Sequence, residues 1–191
     1  MISSPQWATI SIYFVFTPYF LAMMDIKAIP YGKSSVKYLE EISNVCLEMN
    51  IHFTYFGTGC IFSSNKPHVF NENDEPNFFN TKYTLIKSFT DNLLSLNKDK
   101  ILIIRLRQCL NNESSKQNFL NKFLSYDTVC DIPNSFTVIP SIFPIISKLI
   151  LEKKCGKLNC VNKGSISVKE IVEIFDKNKK LTIMNRNFAY E

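Results

Sequence analysis

A chain of 191 residues with 46% hydrophobic and 20% charged side chains is long enough to close one sizeable core and too short for two comfortable domains, and its composition excludes a disordered chain. The net charge of +5 is carried almost wholly by lysine, the arginines being Arg105, Arg107 and Arg186. No dense basic stripe appears, which argues against nucleic acid and suits a small anionic ligand.

Six cysteines, Cys46, Cys60, Cys109, Cys130, Cys155 and Cys160, form no CxxC pair, and the close pair in "CGKLNC" has no histidine beside it. With His52 and His68 the only histidines, no zinc site is expected. Free and mostly buried thiols in a reducing, cytoplasmic compartment are the expectation.

Residues 1–24 carry no charged side chain. Their apolar heart, Ile10 to Met24, is shorter than a standard span of about 20 residues and lacks a preceding basic stretch. "ISIYFVF" has the aromatic and β-branched make-up of a buried strand. Buried strand, fold fragment and membrane anchor stay open as readings. From Ser34 to Met49 apolar residues recur at helical spacing (Val36, Leu39, Ile42, Cys46, Met49), with Asn50 marking the end. "IHFTYF" reads as a short strand, and "SSNKPHVFNENDEPN" as an irregular surface loop.

A second helix is predicted from Lys82 to Leu96, burying Ile86, Phe89, Leu93 and Leu96. "ILIIRL", residues 101–106, is the near-continuous apolar run of a strand covered on both faces. Helix, strand, loop, helix, strand in that order predicts a parallel α/β sheet. Beyond it come a loop entering a helix ("NESSKQNFLNKFLSY"), a loop or short edge strand ("VCDIPNSFTVIP"), and a helix from Ser141 to Lys153. A short strand and turn ("GKLNCVNKG") and a final helix with Val168, Ile171, Val172 and Phe175 inward close the pattern. The lysine pairs Lys153-Lys154 and Lys179-Lys180 read as solvated helix ends.

"TYFGTGCIF" places Thr58 and Cys60 two apart in a glycine-flanked turn, and the sole YxxxK string, "YTLIK", puts Tyr83 and Lys87 on one helix face just downstream. Such a group suits carbonyl reduction. Hydride addition leaves an alkoxide that needs a proton. A phenol, ordinarily near pH 10, is brought toward neutrality by an adjacent ammonium. A threonine hydroxyl can orient the carbonyl oxygen. Taken singly, each residue also has a plain structural use: Cys60 as a small buried hydrophobe, Thr58 as a turn residue, Tyr83 as an aromatic at a helix start.

Together with "DEPNFFNTKYTLIKSF", "RLRQ", "NFLNKF" and "DIPNSFTVI", that turn resembles the bifunctional UDP-4-keto-6-deoxy-D-glucose 3,5-epimerase/4-reductases. These are extended short-chain dehydrogenase/reductases that complete UDP-L-rhamnose synthesis with NADPH. The resemblance covers roughly residues 40–175 and is specific because five separate strings keep the family's order. It implies the later half of a Rossmann-type parallel sheet, over residues 31–110, with a small substrate-binding portion over 111–191. Residues 1–30 do not match.

Carried over, Thr58 orients the carbonyl, Tyr83 donates the proton, Lys87 also holds the nicotinamide ribose, and Cys60 with Lys122 epimerises. Asn77, Asn118, Pro133 and Asn134 fall in segments expected near the nucleotide-sugar. Arg105 and Arg107 are expected either to bind substrate or to form structural ion pairs. "RLRQCL" departs from the family's Arg-x-Arg-Met-Pro. The glycine-rich turn that receives a dinucleotide pyrophosphate is not found, since the five glycines are Gly32, Gly57, Gly59, Gly156 and Gly164. The chain is therefore expected to be shortened at its amino end. The alternative function is a non-catalytic remnant that binds a nucleotide-sugar or an intact homologue as a scaffold, with membrane association through residues 1–24.

Overall fold

The computed structural model describes residues 33–64, 69–113 and 118–184. The expectations for residues 1–30, for His68 and for the last seven residues lie outside these. Two compact units divide the chain: residues 33–105 with 147–159, and residues 106–146 with 160–184.

In the first unit, α1 (Lys33–Glu48) follows the predicted stripe except at its end, where Met49, expected inward, is 63% exposed and Leu47 packs inward instead. Val36 is buried, and Leu39 and Leu47 pack with Phe53 on a cluster of Tyr55, Leu94, Ile101 and Ile103. The helix stops where expected: Asn50 takes a φ of +55°, a left-handed setting that asparagine tolerates. β1 (Thr54–Thr58) runs on through Gly57 into a 3₁₀ turn, Gly59–Ile61. α2 (Lys82–Ser95) opens on a reciprocal cap, in which Thr84 N–H donates to Thr81 Oγ1 and Thr81 N–H to Thr84 Oγ1, both at 3.1 Å. β2 (Leu102–Leu106) is the expected apolar strand, with Ile101 to Ile104 fully buried. It lies at the centre of a sheet ordered β1-β2-β6, where β6 is Gly156–Cys160. The strands are parallel, joined through helices as parallel neighbours must be. Residues 147–159 return to this unit because β6 adds to that sheet.

The inward face of α2 differs from the predicted one. Thr84, Ser88, Thr90, Asp91 and Leu94 are buried, Ile86 and Leu93 are half-buried, and Phe89 and Leu96 are 61% and 80% exposed. The polar side chains can turn inward because each is satisfied there. Thr90 Oγ1 donates to Ile86 O at 2.9 Å, Ser88 Oγ to Phe78 O at 3.4 Å, and Asp91 accepts from Arg105.

The second unit holds two short parallel ladders. β3 (Cys109–Leu110) pairs with β5 (Thr137–Val138), and β4 (Thr128–Cys130) with β7 (Thr182–Met184). α3 (Phe119–Ser125) and α5 (Val168–Phe175) enclose a core of Phe123, Phe136, Ile171 and Val172. Phe123 and Phe136 meet edge to face at 5.9 Å. α5 begins at a capping box between Ser167 and Glu170. Phe175, expected inward, is 60% exposed, since with Ile174 it walls an open cavity. α4 (Ile139–Leu151) starts two residues before the predicted point, with Pro140 in its first turn, where a missing N–H costs nothing.

None of the six thiols is buried: Cys155 is exposed and the others are half-covered. Lys153 and Lys154 are exposed beside the end of α4. Lys179 is instead half-covered, donating to Leu124 O.

Candidate functional site

The end of β1 and the first turns of α2 bring four of the sequence-predicted groups together. Thr58 is buried and caps the 3₁₀ turn, its Oγ1 accepting from Cys60 N–H at 3.1 Å. Tyr83 lies within reach of the Thr58 side chain and of Lys87, Cys60 and Tyr55, each of which acts on its phenol. Lys87 Nζ sits 5.4 Å over the ring of Tyr55, a cation–π contact that fixes the ammonium on the site side of the sheet. A phenol, a hydroxyl, a thiol and an ammonium thus share one corner of the first unit.

The phenol does not titrate as the sequence led us to expect. Burial pushes Tyr83 above the usual phenol value, and the nearby Lys87 ammonium and Thr58 hydroxyl offset that only in part. Although 39% of Tyr83 is exposed, its surroundings disfavour the phenolate more than the ammonium favours it. The protonated phenol is therefore the form present at neutral pH, poised to donate.

Gly57 has a use other than clearing space for a ligand. A Cβ there would lie 3.2 Å from Tyr55 Cε1 and 3.7 Å from Asp91 Oδ2, so its bareness lets α2 and Tyr55 close on the strand. The loop after the turn is pinned by Asn77. Its Oδ1 accepts from Ser63 N–H at 2.9 Å and its Nδ2 donates to Ser63 O at 3.0 Å, while Asn77 N–H and Phe78 N–H both donate to Ile61 O.

Arg105 takes the ion-pair alternative. Its Nε and Nη2 donate to Asp91 Oδ2 and Oδ1 at 2.8 and 2.6 Å, leaving no face for a ligand. The other expected residues belong to the second unit. Arg107 Nε donates to Asn134 Oδ1 at 3.2 Å, and Asn134 and Ile166 exchange both backbone hydrogen bonds at 3.0 Å. Asn118 caps α3, and its amide is spent on local backbone: Oδ1 accepts from Asn111 and Leu120, and Nδ2 donates to Asn111 O and Glu113 O. Lys122 is half-exposed with Nζ 5.0 Å over the Phe119 ring. Pro133 is exposed in the loop before Asn134. A cavity of about 710 Å³, walled by apolar side chains with Asn134, Asn162 and Lys163 among its polar groups, opens in this unit. Among the described residues no acidic, cysteine or histidine cluster could hold a metal.

Sequence reasoning missed Asp91 and Tyr55. Asp91 was visible as the next acidic residue one turn beyond Lys87, on the Tyr83–Lys87 face. Nothing local marked Tyr55 as the seat of the lysine.

No family model matches the chain. It is 33% identical over 182 residues to the L780 protein of Acanthamoeba polyphaga mimivirus, covering 84% of this chain and 63% of that one. The crystal structure of the L780 UDP-rhamnose synthase superposes with a TM-score of 0.71 at 35% identity, over 76% of this chain and 54% of that chain. An Arabidopsis thaliana trifunctional UDP-glucose 4,6-dehydratase/UDP-4-keto-6-deoxy-D-glucose 3,5-epimerase/UDP-4-keto-L-rhamnose-reductase is 33% identical over 141 residues, 70% of this chain and 21% of that protein. The Bacillus anthracis dTDP-4-dehydrorhamnose reductase, solved with NADP, shares the fold with a TM-score of 0.58 at 20% identity, over 75% of this chain and 54% of that chain. The chain spans less than two thirds of the length of each of these relatives.

Proposed function

We propose, because the chain belongs to the extended short-chain dehydrogenase/reductase family that contains the UDP-rhamnose synthases, that it acts on a UDP-4-keto-6-deoxyhexose by 3,5-epimerisation and 4-keto reduction. One observation carries this reading: Tyr83, Thr58, Lys87 and Cys60 lie close enough together for the other three to act on the Tyr83 phenol.

In the reduction, charge develops on the ketone oxygen as hydride arrives at its carbon. Thr58 Oγ1–H donates to that oxygen and holds it toward Tyr83. The phenol then gives up its proton, and the Lys87 ammonium stabilises the phenolate left behind. In the epimerisation, protons on the carbons flanking the ketone are acidified by it. Cys60 exchanges such a proton, with Lys122 the second acid/base group that the resemblance assigns. In the second unit, Asn134, fixed by Arg107, edges a mostly apolar cavity of ligand size.

NADPH would supply the hydride when bound. Tyr83 and Lys87, one turn apart beside Thr58, fit the nicotinamide ribose. The sequence offers no glycine-rich turn for the pyrophosphate, so the fit stops at the ribose. The alternative reading is a nucleotide-sugar-binding subunit without reductase activity, working beside an intact homologue. Among the described residues no helix is long and apolar enough to cross a membrane.

Thermal unfolding with each ligand separates the two readings. Stabilisation by NADPH supports the reductase. Stabilisation by the UDP-sugar alone supports the binding subunit, because a ligand that binds only the folded state raises its stability. No shift with either ligand contradicts both.

A further inference from the structure

The Asp91–Arg105 pair is the most deeply buried charge in the first unit, its side chains 2% and 0% exposed. Burying two ions costs several kcal/mol of desolvation, and an apolar pair of similar volume is often at least as stable. What an apolar pair cannot do is fix direction, and here every partner of the pair belongs to an element that shapes the site. Asp91 lies one turn beyond Lys87 and two beyond Tyr83 on α2. Its Oδ2 is 3.7 Å from where a Cβ of Gly57 would be, one residue before Thr58. Arg105 comes from β2, the strand next to β1. Its guanidinium stacks 5.0 Å from the Phe62 ring centroid, just past the Cys60 turn, and Nη1 donates to Glu72 O at 3.5 Å. Phe62 in turn stacks on Phe70 at 4.7 Å. The Glu72 carboxylate accepts from Asn159 N–H, and Asn159 Nδ2 donates to Phe70 O.

We infer that Asp91 and Arg105 are positioning residues whose two-bond clamp sets the register of α2, and so of Tyr83 and Lys87, against the turn bearing Thr58 and Cys60. A bidentate guanidinium–carboxylate pair has one favoured geometry. A slip of α2 along β1 would break it before it broke the surrounding apolar packing. The inference rests on the proposed reading of Tyr83 as the proton donor, but its test needs neither substrate nor cofactor.

The test replaces the clamp by packing alone, in the double variant Asp91→Leu/Arg105→Met. Folding is verified by circular dichroism. Two site readouts follow: the titration of Tyr83, taken as the ultraviolet difference from the matching Tyr83→Phe chain, and the iodoacetamide alkylation rate of Cys60, relative to exposed Cys155, resolved by peptide mass spectrometry. The folded double variant should move the Tyr83 titration by at least about half a pH unit. It should also change the Cys60-to-Cys155 rate ratio at least about threefold, the scale of coupling between groups in one network.

Asp91→Glu keeps the charge but lengthens the side chain, and should shift both readouts in the same direction by less. Should the double variant not fold, Asp91→Glu alone decides. A folded variant with both readouts at wild-type values overturns the inference and leaves the pair a purely structural one. If wild type shows no reductase or exchange activity, the proposed function fails while these readouts still decide the clamp.

Discussion

Arg105→Met leaves the aliphatic stem of the side chain in place and deletes only its charge. Little apolar area is lost, so the cost is almost wholly electrostatic. Asp91 keeps a carboxylate sealed from water, with its two shortest hydrogen bonds, 2.8 and 2.6 Å, gone. Removing one partner of a buried pair costs about 3–5 kcal/mol, and losing the stack on Phe62 adds about 0.5–2 kcal/mol. Against a total folding free energy of about 5–15 kcal/mol, that is a large share. Adding Asp91→Leu removes the stranded carboxylate and should bring the double variant back to within about 1 kcal/mol of wild type. With each single change stranding a buried charge at about 3–5 kcal/mol and the double costing about 1 kcal/mol, the cycle of wild type, two singles and the double should give a coupling energy of at least about 5 kcal/mol. Urea unfolding followed by circular dichroism measures all four corners. Additive single effects, with a coupling below about 0.5 kcal/mol, would refute the claim that the two charges stabilise each other.

Other outcomes follow from the same structure. Burial, and then Lys153, hold the His52 imidazole below its ordinary value. The unfolded chain thus takes up the proton first as the pH falls. Stability is complete above about pH 6.5 and declines as pH drops toward the depressed value; urea midpoints across this range should show the slope, and His52→Gln should flatten it. Phe123→Ala empties the centre of the second unit's core and should cost about 3–5 kcal/mol, read by thermal or urea unfolding; a loss under about 1 kcal/mol would mean that core is not cooperative. Asn118→Ala removes the cap of α3 together with the amide bonds to Asn111 and Glu113. It should cost about 1–2 kcal/mol and raise amide exchange over residues 118–122.

How much of this was legible depended on how local the cause was. The stripe of α1 up to Cys46 and its stop at Asn50, and the buried run of β2, follow from periodicity within a dozen residues, and the structure has them; only Met49, at the end of the stripe, faces out. The extent of α2 was equally legible, but its inward face was not. A reading that scores only apolar residues chooses Phe89 and Leu96, whereas Asp91 turns inward because of Arg105, fourteen residues further on in the strand β2. The ladders β3–β5 and β4–β7 are two and three residues long, and residues 28 and 54 apart in sequence meet there, so no local pattern announces them. The site shows both cases. Tyr83 and Lys87 share a face by spacing alone, and Thr58 and Cys60 by the turn. The ring of Tyr55 beneath Lys87 and the spending of Asn118 on its own loop are visible only in three dimensions. The upward shift of Tyr83 was misjudged for the same reason, since sequence shows the neighbouring ammonium but not the burial that outweighs it.

The most direct test of the central claim is solvent exchange into the substrate. UDP-4-keto-6-deoxyglucose incubated with the protein in deuterium oxide should gain deuterium at the two carbons flanking the ketone, seen by proton NMR. Tyr83→Phe should retain this exchange and abolish any NADPH-dependent reduction, and Cys60→Ala should lose the exchange. Equal exchange by wild type and Cys60→Ala, or none above the protein-free rate, would contradict the assignment of this thiol and phenol to a single sugar ketone.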